Sequence, residues 1–214
     1  MKNAKQTFLF DFDGTLVDSM TYFVELMLRI LDEKNIKYGD DIVKTITPLG
    51  YRGTAEYFRT LGAEESVEEI MEMMHSYATE AYTYKVMAKP TVIETLTEMK
   101  KRGNSLNILT ASPHSALDPC LKRLGIYDLF DNVWSCDDFN TTKSNPNIYK
   151  RAAALIGELE ENVIFVDDNV NAVKTAKAAG MTSYGIYDES SEDYVAEMIE
   201  ISDRYIRIFS ELLI

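Results

Sequence analysis

Short apolar runs of strand length recur along this chain, and all but the first lie beyond residue 100. Polar or turn-forming residues bound each run, as is typical of strands buried in a sheet. A last run, 205–209, fits an edge strand or a helix turn, and we favour the strand. The other predicted strands are 8–10, 105–110, 133–136, 162–166 and 182–187.

The intervening segments repeat apolar residues at helical spacing. In 18–33, Phe23, Met27, Ile30 and Leu31 share one face, and Asp18 or Ser19 can cap its start. Residues 50–53 contain two glycines and are predicted to be a loop. The other predicted helices are 40–46 (ending near Pro48), 54–61, 66–84, 90–102 (with Pro90 at its start), 114–124, 146–157, one that ends at Gly180, and 192–201.

No convincing strand occurs between residues 18 and 86, whereas strands and helices alternate after residue 90. Such alternation predicts a parallel sheet covered by helices on both faces. The fold class is therefore α/β. The core is predicted to consist of residues 1–17 and 87–214, with an inserted helical domain at 18–86.

Two carboxylates, Asp11 and Asp13, end the first apolar run. They are two residues apart, so both side chains of a regular strand would face the same way. Buried carboxylates are costly when unpaired and usually face a ligand, a metal or a cation. The simpler alternative is a turn, in which Asp and Gly are ordinary residues.

Later strands also end in candidate polar groups. Thr110 ends one strand, and its hydroxyl with the amides of Ala111 and Ser112 could bind phosphate oxygens, or merely cap a helix. Asp167 and Asp168 follow another strand. In open α/β sheets ligands bind at the carboxyl ends of the strands, so we expect these groups at one site.

Asp11-Phe12-Asp13-Gly14-Thr15 resembles the first motif of the haloacid dehalogenase (HAD) superfamily, in its phosphotransferase branch. Three later segments resemble the remaining motifs: Thr110; Lys143 with Pro146 and Tyr149; and Asp168, counted back from Ala178-Ala179-Gly180. The chain departs from the family pattern at three positions: Ser144, where Pro is frequent; Asp167, where relatives have Gly or Glu; and Ala172, where many have another acid.

The resemblance implies a Rossmann-like HAD core with an α-helical cap between the first two motifs, as in the subgroup of phosphoglycolate phosphatases and β-phosphoglucomutases. It implies that Asp11 is the nucleophile and Asp13 the general acid and base. Lys143 would offset phosphoryl charge, although a single Lys is usually a solvated surface residue.

The resemblance also implies a cofactor, Mg²⁺, held by Asp11, Asp13 and Asp168, with Asp167 acting directly or through water. The position of Arg52 in the predicted 50–53 loop resembles that of the family's cap loop, which selects substrate. An exposed surface Arg at the start of a helix explains this residue equally well.

We therefore predict a Mg²⁺-dependent phosphatase that hydrolyses a small phosphorylated metabolite through an aspartyl-phosphate. The alternatives are a phosphomutase of the β-phosphoglucomutase kind and a catalytically silent phosphometabolite-binding protein. A dehalogenase is disfavoured because those enzymes lack the first motif in this form.

Net charge and the types of segment present indicate which binding partners and which cellular location to expect. A net charge of −13 over 214 residues argues against nucleic-acid binding. No signal peptide or membrane-spanning stretch is recognised, so we expect a cytoplasmic protein without membrane association. We also expect a monomer. Cys120 and Cys136 lack ligand spacing and are predicted to be small core residues. His75 is predicted to pack in or near a helix of the inserted domain. His114 follows the second motif and could touch a substrate, although we favour a loop residue at the start of the predicted helix 114–124.

Overall fold

A parallel sheet collects the apolar runs of the sequence. The computed structural model describes residues 5–46 and 49–214, except for the side chain of Lys44. Within these residues the sheet has six strands in the order β3-β2-β1-β4-β5-β6, and every neighbouring pair is parallel. The strands are β1 (Thr7–Phe10), β2 (Ser105–Thr110), β3 (Asn132–Ser135), β4 (Val163–Asp167), β5 (Thr182–Ile186) and β6 (Arg204–Ile206). The predicted α/β class with a parallel sheet is confirmed.

β1 lies at the centre of the sheet and is buried on both faces. Leu9 packs with residues of the helices that follow β3 and β4, including Tyr149. Phe10 points to the other face, where its ring lies 5.5 Å from that of Phe209. Because β1 pairs with both β2 and β4, the carboxyl ends of these three strands meet at one edge.

The chain forms two compact units. One is Ser19–Val86, and the other consists of the chain up to Asp18 together with Met87–Ile214. The first unit contains the helices α1 (Met20–Glu33), α2 (Ile42–Ile46), α3 (Gly50–Thr60) and α4 (Val67–Tyr84). The second contains the sheet and α5 (Val92–Lys101), α6 (His114–Arg123), α7 (Asn147–Ile156), α8 (Val170–Ala178) and α9 (Val195–Ile201).

Apolar packing explains why the helical unit forms. Met27, Ile30 and Leu31 of α1 are buried with Phe58 of α3 and Met74 of α4. This is the face predicted from the spacing in 18–33. The start of α4 is fixed by a capping box, in which the Ser66 hydroxyl accepts a hydrogen bond from the Glu69 amide at 3.2 Å. His75 packs edge-on against Tyr51 at 4.9 Å, as predicted.

The prediction of a loop at 50–53 is wrong, because α3 begins at Gly50. Gly50 has φ of 64° and makes the turn into the helix, whereas Gly53 lies inside it. Burial of Ala55 and Phe58 offsets the low helix propensity of glycine. The predicted end of the preceding helix near Pro48 falls outside the described residues.

Two other local predictions are also wrong. Pro90 does not start α5, which begins at Val92 after Thr91 adopts a left-handed conformation with φ of 67°. His114 is the first residue of α6, so the predicted helix 114–124 is confirmed and the assignment of His114 to a loop is wrong. Its ring nitrogens lie 2.8 Å from Asp118 and 2.9 Å from Asp138, so two carboxylates hold it at the helix start.

The ambiguous C-terminal run divides in two. Its first part joins the sheet as β6, and a short 3-10 helix follows at Phe209–Leu213. Cys120 and Cys136 are buried core residues, as predicted. Across the residues described, every helix is too short or too polar to cross a membrane. The predicted cytoplasmic location stays a prediction.

Candidate functional site

The carboxyl ends of β1 and β4 place two carboxylates beside each other. Asp11 follows β1 directly, and its amide donates a hydrogen bond to the Val166 carbonyl at 2.9 Å, which continues the pairing with β4. Asp167 is the last residue of β4 and is fully buried. The side chain of Asp11 is only 8% exposed. Register alone therefore brings the first and fourth predicted motifs together.

Lys143 supplies the positive charge between these carboxylates. Its Nζ lies 2.7 Å from Asp11 Oδ1 and 2.8 Å from Asp167 Oδ2. The buried Tyr149 of α7 holds the lysine loop in place, because its hydroxyl donates to the Lys143 carbonyl at 3.1 Å. Lys143 is thus a buried cation, and the alternative of a solvated surface Lys does not hold.

Asp168 is fixed by the turn that follows β1. The Thr15 hydroxyl donates to Asp168 Oδ1 at 3.0 Å and accepts from the Asp168 amide at 3.2 Å. The next residue, Asn169, caps α8 by accepting from the amides of Asn171 and Ala172. Helix capping and the Thr15 contacts together orient the Asp168 carboxylate.

Asp11, Asp167 and Asp168 form a group of three buried carboxylates, and one oxygen from each lies within 4.8 Å of the other two. Burial raises the pKa of Asp11 well above its ordinary value, and Asp167 adds to this effect. Burial, with the Asp167 charge next, raises the pKa of Asp168 to about 7. Burial alone would lower the pKa of Lys143, but Asp11 and Asp167 more than offset it and raise that pKa well above normal.

These residues fit a hard divalent cation. Three carboxylates and one ammonium leave two negative charges when all are ionised, and oxygen is the ligand that such cations prefer. Asp11 Oδ1 accepts no hydrogen bond within the described chain apart from its ion pair with Lys143, so a lone pair is available to a metal. Asp167 already receives the Lys143 ammonium on Oδ2 and the Asn169 amide on Oδ1 at 2.7 Å.

The end of β2 reaches Asp13. The Ser112 amide donates to the Thr110 hydroxyl at 3.0 Å, and the Ser112 hydroxyl donates to Asp13 Oδ2 at 2.5 Å. Ala111 lies between them and is exposed. The Asp13 carboxylate is not a member of the group of three, as far as the described residues go. The turn after β1 therefore sends Asp11 and Asp13 to different partners.

Arg52, the predicted substrate-selecting residue, lies in α3 of the helical unit. It is exposed and its guanidinium lies 3.4 Å from Glu68. Its assignment to a loop is corrected by the helix that starts at Gly50. Its role toward substrate stays a prediction.

Two charged residues near the site, the partly buried Lys89 and the buried Asp188, were not predicted. Lys89 donates to the Gly14 carbonyl at 2.6 Å and to Asp188 Oδ2 at 2.8 Å. Asp188 comes shortly after β5, so the rule that identified Asp11 and Asp167, an acid behind an apolar strand, would have found it. Lys89 carries no comparable sequence signal.

Comparisons with known proteins agree with these motifs. The family model of haloacid dehalogenase-like hydrolases matches residues 8–186. The chain is 32% identical over 180 residues to the pyrophosphatase PpaX of Bacillus velezensis, covering 83% of this chain and 81% of that protein. It is 29% identical over 199 residues to a phosphoglycolate phosphatase of Salmonella typhimurium, covering 83% and 79%.

The fold is also similar to solved structures. The crystal structure of a β-phosphoglucomutase-like protein from Thermotoga maritima superposes with a TM-score of 0.82 and 22% identity, covering 97% of this chain and 96% of that one. At this identity the likeness concerns the fold.

Proposed function

Because the chain belongs to the haloacid dehalogenase-like hydrolase family, we propose that it is a Mg²⁺-dependent phosphatase that acts through an aspartyl-phosphate at Asp11. Family membership confirms the resemblance carried by the first motif. It also confirms the predicted enzyme class, a phosphoric monoester hydrolase of the HAD kind. The proposed substrate is a small phosphorylated metabolite.

The observation that carries the proposal is the buried pair of Asp11 and Lys143, 2.7 Å apart at the end of the central strand. A carboxylate must be ionised to attack phosphorus, and the lysine favours that form against the effect of burial. The same ammonium would offset the negative charge of a phosphoryl group next to Asp11. Asp11 is therefore the proposed nucleophile.

Asp13 is the proposed general acid for the leaving group and base for the attacking water. Its position two residues after Asp11 and its separate partner, Ser112, support a role different from that of Asp11. Thr110 and the amides of Ala111 and Ser112 are proposed to bind the oxygens of the transferred group.

Asp11 and Asp168 are the proposed direct ligands of Mg²⁺, with the Asp13 backbone carbonyl as the family resemblance implies. Both oxygens of Asp167 already accept hydrogen bonds, which supports a role for it in holding Lys143 or in binding the metal through water. When bound, the cation supplies charge neutralisation at the phosphoryl oxygens.

We further propose that residues 18–86 act as the substrate-selecting cap domain, with 1–17 and 87–214 as the catalytic core. The described residues of Ser19–Val86 form helices and no strand, which supports this assignment. Arg52 remains the candidate for substrate contact in that unit.

The proposal is tested with a panel of phosphorylated compounds in the presence of Mg²⁺ and with excess EDTA. The panel should include p-nitrophenyl phosphate, pyrophosphate, 2-phosphoglycolate and β-glucose 1-phosphate. We expect release of inorganic phosphate that is abolished by EDTA and restored by excess Mg²⁺. Formation of glucose 6-phosphate without free phosphate would instead assign a mutase. Activity that persists unchanged in excess EDTA would contradict metal dependence.

A further inference from the structure

Lys89 is a largely enclosed cation that the proposed mechanism does not use. It is the third residue after the helical unit ends, and its side chain is only 15% exposed. Its backbone amide donates to the Leu16 carbonyl at 3.0 Å, which attaches this segment to the chain that follows β1. Lys89 therefore lies beside the turn that contains the first motif.

All three donors of the Lys89 ammonium are used. Nζ donates to the carbonyl of Gly14 at 2.6 Å, to the carbonyl of Tyr187 at 2.7 Å and to Asp188 Oδ2 at 2.8 Å. A compact ammonium with three N–H groups suits three such acceptors. One side chain thus joins the turn after β1 to the segment after β5.

The Gly14 turn lies in close contact with the Asp168 side chain. Gly14 has φ of 72°, and a Cβ built on it would lie 2.7 Å from Asp168 Cγ. The adjacent Thr15 hydroxyl donates to the same carboxylate. Any shift of the Gly14 carbonyl would therefore move the groups that orient Asp168.

Asp188 also lies near the Asp168 carboxylate. It lines one small cavity together with Asp168, Ser191 and Tyr205. The Ser191 hydroxyl donates to Asp168 Oδ2 at 3.4 Å, and the Ser190 amide donates to Asp188 Oδ1 at 3.0 Å. Since Asp188 is 7% exposed at its side chain, it requires a cation, and Lys89 provides it.

We propose that Lys89 is a positioning residue: it ties the Gly14 turn to the Tyr187–Asp188 segment and thereby fixes the Asp168 carboxylate for metal binding. The inference rests on the proposed function for its catalytic consequence, but the metal-binding consequence can be measured without turnover. Lys89 itself contacts neither the reacting atoms nor the group of three carboxylates in this arrangement.

The test uses Lys89→Met, Lys89→Arg and the double variant Lys89→Met/Asp188→Asn in the full chain. Mn²⁺ is the probe for metal affinity, measured by titration calorimetry without substrate, because it accepts the same oxygen ligands. Turnover of p-nitrophenyl phosphate gives kcat and KM separately. Lys177→Met is the matched control, since Lys177 also pairs with a carboxylate, Asp203 at 2.7 Å, and a carbonyl, but at the other end of α8.

We expect Lys89→Met to weaken Mn²⁺ binding and to lower kcat, each by about 10–100-fold, with little change in KM. Lys89→Arg should recover part of both losses. The double variant removes the unpaired Asp188 charge and should regain thermal stability, yet keep low kcat and weak Mn²⁺ binding because the Gly14 carbonyl still lacks its donor. Lys177→Met should leave both quantities unchanged.

Wild-type Mn²⁺ affinity and kcat in Lys89→Met would overturn the inference. So would their full recovery in the double variant, because Lys89 would then only neutralise Asp188. If Lys89→Met does not fold, the double variant alone decides. Wild-type Mn²⁺ affinity and kcat in it would overturn the inference, and reduced values would support it. If wild type and Lys89→Met differ in Mn²⁺ binding but neither releases phosphate from any compound, the proposed function is wrong and the positioning role stands.

Discussion

Asp11→Asn should lower kcat for p-nitrophenyl phosphate by about 10⁴-fold or more, because an amide cannot attack phosphorus as a carboxylate does. The substitution preserves shape, and the neighbours of Asp11 in the site keep their positions. Steady-state assays at saturating Mg²⁺ give the loss directly.

The same variant should not be less stable than the wild type. The pKa of Asp11 is raised above its unfolded value by burial and by Asp167, so ionised Asp11 opposes folding. This destabilising effect of Asp11 on the folded state is absent at pH values below the unfolded pKa of about 3.9, and it grows as the pH rises toward the folded pKa. Asn removes it, so the thermal midpoint at pH 7 should be equal or higher.

Asp131→Asn is the matched control for Asp11→Asn. Asp131 is also a carboxylate with a lysine partner, Lys100 at 2.5 Å. It directly precedes β3 and so lies at the amino ends of the strands, away from the carboxyl ends that form the site. It should retain wild-type kcat. Full activity in Asp11→Asn, or an equal loss in Asp131→Asn, would contradict the role of Asp11.

Lys143→Met should lower both activity and stability. Removing the ammonium leaves Asp11 and Asp167 buried without their cation, and breaking a buried pair in this way costs about 3–5 kcal/mol of unfolding free energy. Loss of the charge facing the phosphoryl group should lower kcat by about 10²–10³-fold. Denaturant unfolding and steady-state kinetics measure the two effects.

The pH dependence of this contribution has a defined sign. The pKa of Lys143 is raised by Asp11 and Asp167 despite burial, so its stabilisation is complete at pH values below the unfolded lysine pKa. It is lost only as the pH rises through the folded pKa. The stability difference between wild type and Lys143→Met should therefore be large at neutral pH and shrink in strong alkali.

A second substitution separates stability from catalysis. Lys143→Met/Asp167→Asn removes one of the two uncompensated carboxylates and should recover part of the stability but little of the kcat. Lys174→Met removes an exposed ion pair with Glu197 and should change neither property appreciably. Wild-type kcat in Lys143→Met would show that the ammonium does not act on the phosphoryl group.

The sequence predicted the part of the site that depends on strand ends. β1, β2 and β4 are apolar runs, and Asp11, Thr110 and Asp167 close them, so parallel pairing brings these residues to one edge. Lys143 was identified through the family pattern, and its burial depends on Tyr149, which the periodicity does not reveal.

Contacts made by side chains distant in sequence could not be predicted. Lys89 and Asp188 are 99 residues apart, and no spacing rule relates them. Gly50 and Gly53 indicated a loop, but buried Ala55 and Phe58 favoured a helix through tertiary packing. The sequence did not indicate partners for His114, whereas in the structure Asp118 and Asp138 hold both of its ring nitrogens.

Trapping the covalent intermediate tests the central claim most directly. The enzyme would be quenched with sodium borohydride during turnover, which reduces an aspartyl-phosphate to homoserine, and then digested and analysed by mass spectrometry. We expect homoserine at position 11 only when both substrate and Mg²⁺ are present, and never in Asp11→Asn. Continued hydrolysis with no homoserine at position 11, or with homoserine at another aspartate, would contradict the assignment of Asp11 as the nucleophile.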